Sequence, residues 1–136
     1  MQPNIQKFLS GNRFAVVGAS SDRNKYGNKV LRCYLQDGRE AIPVNPGATE
    51  IESIQAVPDL AAIQPPVDAV SIITPPEITH GIVQQIIDMG IPNVWMQPGS
   101  ADDETIQLAQ DAGLNVVAGG PCLLVELSFE ENEEPA

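Results

Sequence analysis

The sequence predicts an α/β fold: a doubly wound, mainly parallel five-stranded sheet with helices on both faces. Two observations carry this. Continuous apolar runs such as Phe14-Ala15-Val16-Val17 and Ala69-Val70-Ser71-Ile72-Ile73 suit strands covered on both sides, as in a parallel sheet. Between the runs lie stretches with apolar residues three and four apart, long enough to serve as crossover helices.

A short helix is expected around 3–9, followed by a strand at 13–18. From Gly27, residues Val30, Leu31, Tyr34 and Leu35 form one apolar stripe, and Gly38 supplies the stop. Strands at 40–45 and 67–73 bracket an irregular stretch, 46–66. It holds only the apolar piece from Ile51 to Val57 and one helical turn at Asp59-Leu60-Ala61-Ala62. Thr74-Pro75-Pro76-Glu77 then offers an N-cap Thr, Pro at the first helical position and Glu at the capping-box position. Ile78, Ile82, Val83, Ile86 and Ile87 mark the buried face of that helix, and Gly90 ends it. After a strand at 93–97, Ser100 with Asp103 opens a helix that buries Ile106 and Ala109 and closes at Gly113; the last strand is 115–118. The whole reads as one Rossmann-like domain over 1–127, with 128–136 as an acidic, flexible tail.

The core must be aliphatic, because only six of 136 residues are Phe, Trp or Tyr. No run approaches the roughly 18 apolar residues of a membrane span, and no signal peptide is evident. Cys33 and Cys122 lack both CxxC spacing and nearby histidines, so a reduced, cytoplasmic setting is expected, with both thiols as packing residues. The net charge of −11 argues against nucleic acid or an anionic membrane as a partner. The distribution is uneven, however. All seven bases lie in the first 39 positions, where only Asp22 and Asp37 of the eighteen acids are found. An anionic ligand should therefore meet the protein near that stretch.

In open α/β sheets ligands sit beyond the carboxyl ends of the strands. The first such end is Val17-Gly18-Ala19-Ser20-Ser21. Gly18 lets backbone approach a phosphate, small residues expose N–H groups, and a helix beginning near Tyr26-Gly27 aims its positive end there. Arg23, Lys25 and Lys29 are close in sequence. The pattern is not that of a nicotinamide site. G-x-G-x-x-G is absent, and the second strand ends Val44-Asn45-Pro46, where such sites carry an acid. A Walker A loop is excluded by the missing G-K-[ST]. Thr74-Pro75-Pro76 and Gln97-Pro98-Gly99-Ser100 end the third and fourth strands as stiff apolar walls suited to a flat base and an amide-bearing tail.

Taken in order, Val16-Val17-Gly18-Ala19-Ser20, Lys25-Tyr26-Gly27, Val30, Pro43-Val44-Asn45-Pro46, Glu50-Ile51, Pro66-Val67-Asp68, Val94-Trp95-Met96-Gln97 and Ala112-Gly113-Leu114 resemble the small stand-alone CoA-binding proteins. These are similar to the N-terminal CoA-binding domain of the succinyl-CoA synthetase α subunit. The resemblance covers roughly 8–127 and implies coenzyme A, or an acyl-CoA, lying across the strand ends. It implies that Gly18, Ala19, Ser20 and the segment Lys25, Tyr26 and Gly27 hold the phosphates. Val44, Asn45 and Pro46 would line the adenosine side, and Thr74, Pro75, Pro76, Met96 and Gln97 would flank the crevice. The synthetase's phosphorylated histidine belongs to a later domain, so His80 does not inherit that role. Two departures stand out. An Asp-Arg-Cys-like segment is replaced by Gly119-Gly120-Pro121-Cys122, and Thr74 stands where an Arg often precedes the Pro. Anion binding then rests on Arg23, Lys25 and backbone N–H groups.

The expected function is non-catalytic binding of coenzyme A or a short acyl-CoA, with a homodimer or an acyl-CoA-handling enzyme as the possible protein partner. The alternatives are an interaction module without nucleotide, and an NAD- or ATP-linked enzyme component. For the second, the chain offers one histidine, two cysteines and no obvious paired carboxylates. Cys122, after the last strand, could form a mixed disulfide with the CoA thiol.

Overall fold

A computed structural model describes residues 2–131. Helix α1 (Pro3–Leu9) precedes β1 (Arg13–Val17), α2 (Tyr26–Gln36) and β2 (Glu40–Val44). A two-strand hairpin, β3 (Glu50–Ile51) with β4 (Ile54–Gln55), and a 3₁₀ turn (Leu60–Ala62) lead to β5 (Ala69–Ile72). Then come α3 (Pro76–Met89), β6 (Asn93–Met96), α4 (Asp103–Asp111), β7 (Asn115–Val117) and α5 (Leu123–Glu126). The main sheet has the order β2-β1-β5-β6-β7 with every pairing parallel. The order reverses between β1 and β5, the kind of switch point above which open α/β sheets commonly hold ligands.

Alternation along each strand divides the core in two. Phe14 and Val16 of β1 face α1, α2 and α5, where Phe8, Trp95 and Tyr34 bring their rings together and Leu123 closes the layer. Ala15 and Val17 face the opposite way, onto Val83 and Ile86 of α3 and Ala109 of α4. Helices therefore cover both faces, as the buried apolar runs require. One polar pair crosses the first layer: the Tyr34 hydroxyl meets Ser71 Oγ at 2.5 Å, and burial drives the Tyr34 pKa far above its usual value.

Several local expectations shift. Thr74 is not the cap of α3. Pro75 takes that position without a side-chain bond, and the Thr74 hydroxyl instead meets Thr79 Oγ1 at 2.8 Å. In α4 the cap is Asp102, which accepts from the Thr105 N–H at 2.8 Å; that bond holds its carboxyl below the ordinary range. Ser100 is turned away and donates to the Gln97 carbonyl. The hairpin and α5 had no counterpart among the expected elements. The single turn at 60–62 forms as expected, with the Asp59 carboxylate accepting from the Ala62 N–H.

The two outer strands are each met by chain from elsewhere. Val57 bonds alongside the end of β2, donating to the Pro43 carbonyl and accepting from the Asn45 N–H. Beyond β7, Asn4 of α1 donates to the Val116 carbonyl at 3.0 Å. At the other end of the chain, residues 128–131 lie against α2, where Phe129 sits under Arg32 and Glu131 pairs with Arg32 and Lys29. The acidic end at 132–136 is outside the described residues.

Candidate functional site

The turn after β1 is built by two asparagines. Asn45, at the end of β2, donates to the Ala19 carbonyl at 2.9 Å, and Asn28 of α2 donates to the Ser20 carbonyl at 2.9 Å. In a trans peptide the N–H points opposite the carbonyl that shares its plane. Drawing those two carbonyls inward therefore turns the N–H groups of Ser20 and Ser21 the other way. Gly18 takes φ +94°, and a Cβ there would lie 3.2 Å from Ile73 and Thr74 at the end of β5. Gly27 lets α2 start against the same turn, since a Cβ on it would lie 2.0 Å from the Gly18 carbonyl oxygen. No side chain caps α2, so its first N–H groups remain directed at this region.

One chamber opens from the turn, and a second adjoins it at Thr74. The first, about 360 Å³, lies over β1 and β2 and is walled by Val44, Pro46, Leu60 and Ile78. Gly18, Ala19 and Asn45 also reach it. The second, about 700 Å³, lies over β5 and β6 between Tyr26, Pro75, Pro76, Gln97 and Val125. Both fall in the size range of small-molecule sites, roughly 300–1,000 Å³.

Not every residue singled out in the sequence reaches a chamber. Met96 is 1 % exposed and packs in the α3 layer of the core, so it lines neither; the next residue, Gln97, does. Asn45 is at the first chamber but spends its side chain on the turn, with its carbonyl oxygen accepting from the Gly47 N–H. Ser20 likewise turns its hydroxyl to the Asp22 N–H. Lys25 is exposed at the start of α2. Arg23 is held by Glu52 through Nη2 at 2.8 Å and Nε at 3.1 Å.

Sequence reasoning passed over that last arrangement. Glu52 sits at φ +50° in the hairpin turn with Ser53 at φ +66°, a turn usually given to Asn-Gly or Asp-Gly. Its carboxylate accepts from Arg23 and from Asn28, which also binds Arg32. The hydrogen bond from Arg23 above all draws the Glu52 pKa from the ordinary 4.5 to about 2. Its contribution to stability is thus full above about pH 4.5 and lost as pH falls through about 2. Glu52→Gln is expected to lower the melting temperature at pH 7, with most of that difference gone by about pH 2. A difference that persists unchanged through acid would contradict this tether.

Also passed over are Ile78 and Ile82, assigned to the buried face of α3. Ile78 is 52 % exposed, and both line the first chamber. Their signal was the stripe itself, which is wider than the core beneath it needs. The two thiols also divide. Burial pushes Cys33 up to about 12, whereas Cys122 is partly exposed on the second chamber, with Sγ 3.4 Å from Gln97 Nε2.

The family model described as CoA binding domain matches residues 12–128, the span that holds the sheet, the turn and both chambers. The chain belongs to the CoA-binding domain family. Among relatives of this CoA-binding domain is the uncharacterized Bacillus subtilis protein YneT, 30 % identical over 105 residues that make up 77 % of this chain and 78 % of YneT. A conserved hypothetical protein from Pyrococcus furiosus superposes with a TM-score of 0.79 at 31 % identity, covering 85 % of this chain and 98 % of its own. The dinucleotide-forming acetyl-coenzyme A synthetase 1 of Candidatus Korarchaeum cryptofilum gives 0.69 at 26 % identity. That match covers 77 % of this CoA-binding domain but only 25 % of the synthetase. No helix among the described residues is long and apolar enough to cross a membrane.

Proposed function

We propose that this chain is a non-catalytic module that binds coenzyme A, free or as an acyl ester, across the carboxyl ends of its strands. The observation that carries the reading is the turn at 18–21, with two carbonyls drawn inward by Asn28 and Asn45 beside the uncapped start of α2. Such a nest of N–H groups suits a diphosphate without requiring many bases. The chambers on either side suit its two unlike ends. Asp59 in the smaller one gives one carboxylate oxygen to the Ala62 N–H and keeps the other to accept from a base's amino group. The same carboxylate would repel phosphate, which favours the base there and the pantetheine arm in the larger chamber.

The absence of catalysis is part of the proposal. His80 Nδ1 pairs with Thr105 on α4, away from both chambers, and the buried Cys33 thiol is held protonated. Calorimetry with coenzyme A, with NAD and ATP as competitors, tests the reading. Saturable, CoA-selective heat is expected. Lys25→Ala should weaken binding by about fivefold, the worth of an exposed ion pair near 1 kcal/mol, and added salt should shrink the difference. Heat from NAD or ATP alone would assign another nucleotide, and silence from all three would favour an interaction module.

A further inference from the structure

The larger chamber is apolar, and the polar side chains inside its rim are already committed. Both ends of the Gln97 amide are used: Oε1 accepts from the Leu123 N–H at 2.8 Å, and Nε2 meets Cys122 Sγ at 3.4 Å. Ser100 donates to the Gln97 carbonyl at 2.6 Å, and Thr74 pairs with Thr79. Pro75, Pro76 and Pro98 bring no N–H at all. Among the described residues none that lines this chamber is charged; the Tyr26 hydroxyl stands at the exposed rim. No cationic side chain lines this chamber to receive a carboxylate, since the seven bases all belong to the first 39 positions and none is in this wall.

The rim adds a second, independent observation. Among the described residues, Tyr26, Ile78 and Val125 are the large hydrophobic side chains left exposed, at 59 %, 52 % and 72 %, and each lines one of the two chambers. Tyr26 and Val125 flank the larger one. Large apolar side chains on a chamber mouth gain by being covered with apolar matter.

We infer that the larger chamber selects an uncharged, apolar acyl group, so that the ligand this domain prefers is a neutral acyl thioester of coenzyme A rather than free coenzyme A or a thioester whose acyl group ends in a free carboxylate. This rests on the coenzyme A reading above. The acyl chain replaces water against Tyr26, Pro75, Pro76 and Val125, and a terminal carboxylate would lose its hydration for no partner.

The test is calorimetry on the full chain, in reductant to keep Cys122 and the CoA thiol free, with coenzyme A and its acetyl, butyryl, hexanoyl and succinyl esters. Butyryl and succinyl compare directly, since they share a four-carbon skeleton and differ in the terminal carboxylate. Each added methylene should tighten binding about threefold, near the hydrophobic gain for a largely buried CH₂, and succinyl should bind at least about tenfold more weakly than butyryl. In Val125→Ser, an exposed position, the ratio of butyryl to free-CoA affinity should fall. Equal affinities for free, acetyl and butyryl species, or succinyl binding as well as butyryl, would overturn the inference and leave the coenzyme A reading intact. Silence from every species, free coenzyme A included, would overturn the coenzyme A reading and this inference with it.

Discussion

Gly27→Ala is expected to cost about 3 kcal/mol or more of stability and to abolish ligand binding. The added methyl would sit 2.0 Å from the Gly18 carbonyl oxygen, and neither partner is a side chain that can swing aside. Both belong to backbone, one in the first turn of α2 and the other at the end of β1. Overpacking typically costs about 1–3 kcal/mol, and a rigid backbone clash stands at the upper end or beyond. The helix must move away, and with it goes Asn28, which holds the Ser20 carbonyl and Glu52. A control with the same chemistry has the opposite sign. Gly81 lies inside α3 with open space where a Cβ would go, so Gly81→Ala should stabilise by about 1 kcal/mol through helix propensity. Urea unfolding of the two variants, with coenzyme A titration, checks both. Two alanines with effects of one sign would contradict the packing described.

Trp95→Ala should be the most damaging core truncation, at about 3–5 kcal/mol. Trp95 is fully buried, meets the Phe8 ring edge-on at 5.3 Å between centroids, and donates through Nε1 to the Pro121 carbonyl at 3.1 Å. Small domains hold only about 5–15 kcal/mol in total, so one substitution removes a large part of the reserve. The hydrogen bond adds a consequence for the site, because Pro121 precedes Cys122 in the wall of the larger chamber. Trp95→Phe keeps most of the ring but not the donor. It should lose less stability than the alanine while still raising exchange of the Leu123 amide, measured by hydrogen–deuterium exchange. An unchanged Leu123 rate would show that Pro121 is fixed by other means.

The main sheet was legible because its strands are buried on both faces, which leaves unbroken apolar runs, and because the crossover helices carry clear stripes. The turn after β1 was legible through Gly18 and the small residues behind it. Other features left no local signal. The β3–β4 hairpin turns on Glu52 and Ser53, which lack the Asn-Gly or Asp-Gly pattern of such a turn, and it is held by Arg23 and Asn28, which lie 29 and 24 positions away. Met96 and Gln97 are adjacent in sequence yet only Gln97 reaches a chamber, a difference set by where β6 ends. Asn45 lines the first chamber, and its amide also serves within the protein by setting the turn after β1, a role that its sequence position does not disclose.

The treatment of the two outer strands bears on how copies of this chain can meet. An open parallel sheet offers a row of unpaired backbone groups on each side, an invitation to continue the sheet from one molecule into the next. Here β2 carries Pro43, which has no N–H, and its end is bonded by Val57, while the Val116 carbonyl of β7 is taken by Asn4. With both margins blunted, strand-to-strand stacking into fibres is disfavoured, and two copies that associate would do so through helix surfaces or chamber rims.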